Sequence, residues 1–158
     1  MTRKFNLYLG KAGQFIAMAE FLSRGWNVAV PEVDVGDDVF VVRDADGEFA
    51  RVQVKSSSAT RRNNGFSAQF SFLIDQLEHD FSPELTYVLL AKLGDDWQKP
   101  LIIPRIQLFQ IVEKQKIGNK AKGNLILYLS FKEDKVTCST VDFSPYLNNF
   151  EAFPIIVH

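Results

Sequence analysis

Between Gly36 and Ser58 the chain reads GDDVFVVRDADGEFARVQVKSSS, and three residues in it, Asp38, Gln53 and Lys55, are of types that could act together. A carboxylate and a side-chain amide oxygen are hard donors of the kind magnesium takes, usually beside waters and a substrate phosphate. An ammonium next to them can neutralise charge developing on a phosphate or hold an attacking water. Taken singly, Gln53 and Lys55 read as a solvent-facing strand pair. Taken with Asp38 they read as a divalent-cation and phosphate site.

Whether they meet depends on the hairpin that carries them. Asp46-Gly47 predicts a two-residue type I′ turn, whose central positions both need positive φ. That turn pairs Val42 with Arg51, Val41 with Val52, Phe40 with Gln53, Val39 with Val54 and Asp38 with Lys55. Alternation then puts Val39, Val41, Val52 and Val54 on a packed face, and Asp38, Gln53 and Lys55 on the other, half covered by Phe40 and Val42. Any loop with an even number of residues keeps this sorting. A three-residue loop with a bulge brings Asp37 there instead. Asp34 and Asp37 otherwise read as loop residues, Asp34 in a turn close to Gly36.

Other elements follow from periodicity. Lys11 to Arg24 reads as a helix with Phe15, Met18, Ala19 and Leu22 on one stripe, closed by Gly25 in a left-handed cap with Trp26 as its apolar contact. NVAVP is a strand. GFSAQFSF alternates with Phe66, Ala68, Phe70 and Phe72 on one face, a third antiparallel strand. LIDQLEHDF gives a short helix with Leu73, Ile74, Leu77 and Phe81 inward, and TYVLLAKL a central strand covered on both sides. PLIIP is a short strand, RIQLFQIVEKQ a helix begun by Pro104, and LILYLSF with VTCSTV a last hairpin around Lys132 to Lys135. The aromatic tail FSPYLNNFEAFP packs against the core or forms a dimer surface. The order describes a mixed α/β domain around one sheet.

Composition excludes several classes. With 158 residues, 46% hydrophobic and fourteen phenylalanines, the chain can bury enough apolar surface to fold as one unit. No run approaches the roughly 20 apolar residues needed to cross a bilayer, and the start lacks a signal-peptide pattern, so a cytoplasmic protein with no membrane partner is expected. Cys138 is the only cysteine, and His79 and His158 lie far apart, which excludes a disulfide framework and a zinc site with Cys/His spacing. A net charge of −1 leaves no whole-molecule attraction to nucleic acid, so phosphate binding must be local. Two segments could supply it: SSSATRRNNG, with Arg61 and Arg62, and EKQKIGNKAKGN, with Lys114, Lys116, Lys120 and Lys122. The second reads better as an ordinary solvated turn.

Asp38, a hairpin, then QVK (Gln53 to Lys55) resembles the D…(D/E/Q)xK signature of the PD-(D/E)XK nuclease superfamily. GKAGQFIAMAEFLSRGWNVAVPEVDVGDDVFVV is similar to the first helix, first strand and aspartate-bearing strand of members that use QxK. Those members resemble the homing endonucleases of bacterial group I introns and, more distantly, archaeal Holliday-junction resolvases. TYVLLAKLGDDWQKPLIIPRIQLFQIV looks like their later strands and helix. The resemblance implies a restriction-endonuclease-like mixed sheet (αβββαβ core) flanked by helices, with an added C-terminal hairpin, residues 1–158 forming one nuclease-like domain. It implies a magnesium-dependent endonuclease, with manganese as a possible substitute, that hydrolyses DNA phosphodiesters, and a homodimer suited to two strands. Asp38 and Gln53 would bind the metal with the Val54 carbonyl, and Lys55 would orient the attacking water. Beside such a site Arg61, Arg62 and Ser56 become candidates for nucleic-acid contacts.

Many relatives carry a glutamate on the first helix, and Gln14 stands at the position that corresponds. Glu20, the only acid of that helix, points well away from it. Amides at both Gln14 and Gln53 keep oxygen acceptors but remove two charges, so metal affinity should fall. Neighbouring carboxylates are expected to raise the Lys55 pKa above its usual value of about 10.4, which favours positioning and charge stabilisation over proton abstraction. Two alternatives remain: a nuclease-fold module that binds nucleic acid or assembles without catalysis, and an interaction subunit with Gly65 to Phe72 and the tail as its dimer face.

Overall fold

The computed structural model describes residues 2–33 and 35–158; Asp34, expected in a turn near Gly36, lies outside them. In chain order the elements are α1 (Arg3–Ser23), β1 (Asn27–Ala29), β2 (Val39–Arg43), β3 (Glu48–Ser58), β4 (Thr60–Arg62), β5 (Gly65–Leu73), α2 (Ile74–Glu78), β6 (Leu85–Leu93), β7 (Asp96–Trp97), β8 (Leu101–Pro104), α3 (Arg105–Gln115), β9 (Asn119–Ala121), β10 (Asn124–Lys132), β11 (Lys135–Cys138) and β12 (Val141–Asp142). The fold is mixed α/β and endonuclease-like: within the first sheet the order is the expected αβββαβ, with β4 and β5 inserted before α2 and a C-terminal hairpin, β10–β11, added. Among the described residues no helix is long and apolar enough to cross a membrane.

The expectation of one sheet is corrected. The described strands form two six-stranded sheets, β1-β2-β3-β6-β7 with β8 also on β6, and β12-β11-β10-β5-β4 with β9 on β10. The reason lies in β3, which pairs antiparallel with β2 and parallel with β6, from Arg51 opposite Leu85 to Ser58 opposite Lys92. Arg51 and Val52 are paired on both sides and Gln53 to Ser58 on the β6 side, while β5 stacks over the first sheet and finds its ladder on β10. Much of the polar loop expected after Lys55 is strand as well, since β3 runs to Ser58 and Thr60–Arg62 pairs with β5 around Asn63-Asn64.

Two apolar clusters hold the layers together. One lies between the sheets and beneath α2 and α3, and includes Phe70, Phe72, Tyr87, Leu89, Leu108 and Leu127. The other lies between α1 and the opposite face of the first sheet, with Phe21, Trp26, Val39, Val41, Val52 and Val54. Strand β6 feeds both, odd residues into the first and Val88 and Leu90 into the second, so it is buried on both sides as its continuous apolar run requires. The C-terminal tail closes the second cluster: Phe153 lies edge-on to Phe21 at 4.8 Å and to Trp26 at 5.4 Å. Phe70, Phe72, Phe150 and Phe153 are all buried, so the dimer face expected from β5 and the tail is instead interior.

Helix α1 starts eight residues before the expected Lys11, at Arg3, because the Thr2 hydroxyl caps it, accepting from the Phe5 N–H at 3.2 Å. It ends as expected at Gly25, with φ +88°. Its packed face is not the stripe that hydrophobicity marks: Leu9, Gly13, Gln14, Ala17 and Phe21 are buried, while Phe15, Ala19 and Leu22 face outward. Closeness of approach decides this. A Cβ on Gly13 would stand 1.8 Å from the Ser56 Oγ of β3, so the small-residue face is the one that lets the helix backbone reach the sheet.

Candidate active site

The β2–β3 hairpin differs from the expected one in register and agrees in sorting. Asp44 to Gly47 form a four-residue loop, closed by the Gly47 N–H on the Arg43 carbonyl at 2.8 Å, with Gly47 at φ +72°. Arg43 also grips Asp46 at 2.8 Å and pairs with Glu48 across the loop. Val39 therefore pairs with Val52, Phe40 with Arg51 and Val41 with Ala50, two residues away from the expected register. Because the loop is even, Val39, Val41, Val52 and Val54 remain together on the packed face, and Gln53 and Lys55 remain on the other.

The shift changes which residue Asp38 meets. Its N–H donates to the Val52 carbonyl at 2.9 Å, and its Oδ2 accepts the Val54 N–H at 2.8 Å, so the carboxylate closes the end of the ladder beside Gln53 rather than directly across from Lys55. Gln53 Oε1 is buried and accepts no hydrogen bond from any described residue. An unpaired buried acceptor is costly and calls for a ligand, water or ion. Next to a carboxylate, that oxygen suits a hard cation.

Lys55 lies on the same stretch, with its ammonium 5.7 Å from the centre of the Phe72 ring and no salt-bridge partner among the described residues. Burial pushes its pKa below the usual lysine value, and the Asp38 carboxylate, pulling upward, only partly offsets this. The expectation of a raised pKa is thus reversed. A charge held partly out of water acts more strongly on an anion brought beside it.

Gln14 reaches the same corner from α1. Its Nε2 donates to the Asp38 carbonyl at 3.1 Å and its Oε1 accepts from Lys11 Nζ at 2.9 Å, which ties the helix to the backbone that presents the carboxylate. Its oxygen is therefore committed to Lys11. Glu20 points elsewhere, pairing with Arg24 at 3.0 Å. Ser56 lies on the α1 side of β3, its hydroxyl buried under Gly13, and is not brought together with Gln53 and Lys55. Arg61 and Arg62 are exposed on β4, Arg62 donating to the Ser67 hydroxyl at 2.9 Å. From Lys55 to Arg61 an extended chain spans at most about 20 Å, a few nucleotides of a bound strand.

Two features escaped the sequence. Lys11 carries no motif of its own; only the i, i+3 spacing to Gln14 hinted at it. Asp37, read as a loop residue, is buried and accepts from Arg51 Nη1 at 2.7 Å, with its Oδ1 and Arg51 Nε unpaired among the described residues. Gln76 braces that turn, donating to the Gly36 carbonyl at 3.1 Å while accepting from the Tyr87 hydroxyl at 3.0 Å. Among the described residues no three of His, Cys, Asp and Glu converge on a metal position. What the corner offers is the Asp38 carboxylate and the Gln53 amide oxygen.

No family model matches the chain, and no curated protein matches it. Among solved structures it is similar to a bacterial homing endonuclease, I-Ssp6803I, with a TM-score of 0.54 and 18% identity over 91% of this chain and 87% of that one. At that identity the likeness is one of fold.

Proposed function

We propose that this chain is a magnesium-dependent endonuclease of the PD-(D/E)XK type, in its QxK variant, that hydrolyses DNA phosphodiester bonds, with residues 1–158 as one nuclease-like domain. The observation that carries this reading is the orphaned Gln53 oxygen beside the Asp38 carboxylate, with Lys55 next to both, on a fold similar to that of a homing endonuclease. Asp38 and Gln53 fit a hard cation, with the Val54 carbonyl as a further donor. Magnesium, or manganese in its place, would supply Lewis-acid stabilisation of the phosphate and of the attacking oxygen. Lys55 hydrogen-bonds a phosphate oxygen or the attacking water and offsets the negative charge that grows in the transition state. Gln14, held by Lys11, fixes the Asp38 backbone so that the carboxylate is presented at one angle. Arg61 and Arg62 contact the phosphate backbone of bound DNA.

Cleavage of plasmid DNA by the purified protein in magnesium tests this. Asp38→Ala and Lys55→Ala should each lower the rate by about a hundredfold or more while leaving the thermal unfolding midpoint within a few degrees. Full activity in both variants would refute the assignment.

A second reading, a nuclease-fold module that binds nucleic acid without cutting it, is favoured by the single carboxylate of the donor set. Calorimetry separates the two. Heat of magnesium or manganese binding that disappears in Asp38→Ala supports catalysis, and no binding at millimolar metal, with or without DNA, supports the module.

A further inference from the structure

We propose that the cavity beside the Asp38 turn is a binding site for an amine-bearing nucleobase, cytosine or adenine, unstacked from the nucleic acid whose phosphate lies at Asp38, Gln53 and Lys55. The inference rests on the nuclease reading for the source of its ligand. The cavity holds about 620 Å³, is open to solvent, and is lined by Asp37, Arg51, Asp75, Gln76, His79 and Phe81 among others. Small-molecule sites span about 300–1,000 Å³.

Two polar atoms of its lining side chains lack partners. Asp37 is 2% exposed, and its Oδ2 accepts from Arg51 Nη1 at 2.7 Å, yet its Oδ1 and the Arg51 Nε are both buried and unpaired among the described residues. An acceptor and a donor left unsatisfied on neighbouring side chains call for a ligand that supplies one of each. A donor beside an acceptor is what the edge of a nucleobase presents. The wall is braced as well. Gln76 donates to the Gly36 carbonyl at 3.1 Å and accepts from the Tyr87 hydroxyl at 3.0 Å.

Charge narrows the class. Asp37, Asp75 and Asp80 line the cavity with Arg51, and Asp80 is shared with Arg105 at 3.3 Å. A phosphate would meet the carboxylates. A metal ion would meet Arg51, and among the described residues no three of His, Cys, Asp and Glu converge on a metal position. A neutral ligand rich in donors suits both signs. Cytosine and adenine set an amine beside a bare ring nitrogen, so the amine donates to the carboxylate while the ring nitrogen accepts from Arg51. Uracil and thymine flank their one N–H with carbonyls on both sides, and the second carbonyl would face an acceptor. His79 and Phe81, edge to face with ring centres 4.7 Å apart, supply aromatic surface for the plane of the base.

Position links the cavity to the nuclease site. Arg51 and Gln53 lie two residues apart on one face of β3, about 6–7 Å along the strand, and Asp37 immediately precedes Asp38. A nucleic-acid strand with its phosphate at Gln53 and Lys55 therefore brings a neighbouring base within reach. Enzymes that take a base out of the stack read it by hydrogen bonds to its edge and by stacking. Where Asp38, Gln53 and Lys55 recognise only a phosphate, this cavity selects the nucleotide beside it.

NMR titration of the full chain with deoxycytidine, in the absence of metal and phosphate, tests the cavity separately from catalysis. The Arg51 Nε–H signal and the Gln76 side-chain amide should shift, with half-saturation on the order of a millimolar. Deoxyuridine, which differs only on the recognised edge, should need at least about tenfold more. Arg51→Met/Asp37→Asn removes the donor and the charge, and should raise the half-saturation concentration, read on Gln76, by at least about tenfold. Urea denaturation checks that this variant is folded; if it is not, the contrast between the two nucleosides in the unaltered chain decides. No shift at about 20 mM deoxycytidine would overturn the proposal and leave the two unpaired atoms to a buried water. Equal shifts with deoxyuridine, or undiminished binding by the folded double variant, would also overturn it. Cleavage that survives in both Asp38→Ala and Lys55→Ala, with the nucleoside titration as expected, would remove the nuclease reading and leave the base site standing.

Discussion

Replacing Arg51 by Met tests whether the turn that delivers Asp38 rests on the ion pair behind it. Asp37 is 1% exposed in its side chain, Arg51 is 26% exposed, and their contact is 2.7 Å. Met keeps the apolar stem beside Phe40 and Phe49, whose ring centres lie 5.7 and 6.0 Å from the guanidinium carbon. What it removes is the cation. Stranding a buried charge by deleting its partner costs about 3–5 kcal/mol. Since water already reaches Arg51 and could hydrate the carboxylate after some rearrangement, the expected loss sits near the lower end, about 3 kcal/mol. The double variant Arg51→Met/Asp37→Asn removes the stranded charge and should recover more than half of that loss. Urea denaturation of the four proteins gives the cycle directly, provided the slope with denaturant stays constant. A loss below about 1 kcal/mol in Arg51→Met, or a double variant no more stable than the single one, would show that the pair does not support the turn.

Lys55 should titrate below the ordinary lysine range by NMR, and Asp38→Asn should lower it further, because burial then acts without the opposing carboxylate; an upward shift in that variant would contradict the arrangement. The linkage sign follows: the unfolded chain binds the Lys55 proton more tightly, so this residue's contribution makes folding stability rise with pH between the folded and unfolded pKa values. Gly65→Ala should destabilise by at least about 3 kcal/mol, since the added carbon would stand 1.8 Å from the Phe131 carbonyl oxygen, a backbone atom locked in the β5–β10 ladder. Thermal melts would detect it, and an unchanged midpoint would mean the two strands can separate at no cost.

The grouping of the candidate residues was legible because side-chain alternation survives errors of register. A two-residue slip left Asp38, Gln53 and Lys55 grouped while changing which of them lie opposite each other, and in the four-residue loop that goes with it Arg43 grips Asp46 and Glu48, a contact no turn rule contains. Helix α3 begins and ends where its pattern does, at Arg105 and Gln115. Helix α1 was misread because two stripes run along it; hydrophobicity marks the one with Phe15 and Leu22, and close packing chose the one with Gly13 and Ala17. The second sheet was hidden because strand pairing depends on which edges are already taken, a property of the assembled fold. For Lys55, burial reverses the shift, and Phe72, which its ammonium approaches, arrives from the other sheet.

Gln53 and Lys55 sit in the β3–β6 ladder, opposite Tyr87 and Leu89 of the strand that is buried on both faces. Their amide protons should exchange only when the whole molecule opens, whereas those of the exposed β4 ribbon should be lost early. Warming should therefore abolish ligand engagement and structure at one temperature, with no inactive yet folded stage in between. The exposed ribbon of Arg61 and Arg62 lies at the periphery, where substitutions can be made without disturbing the anchored centre.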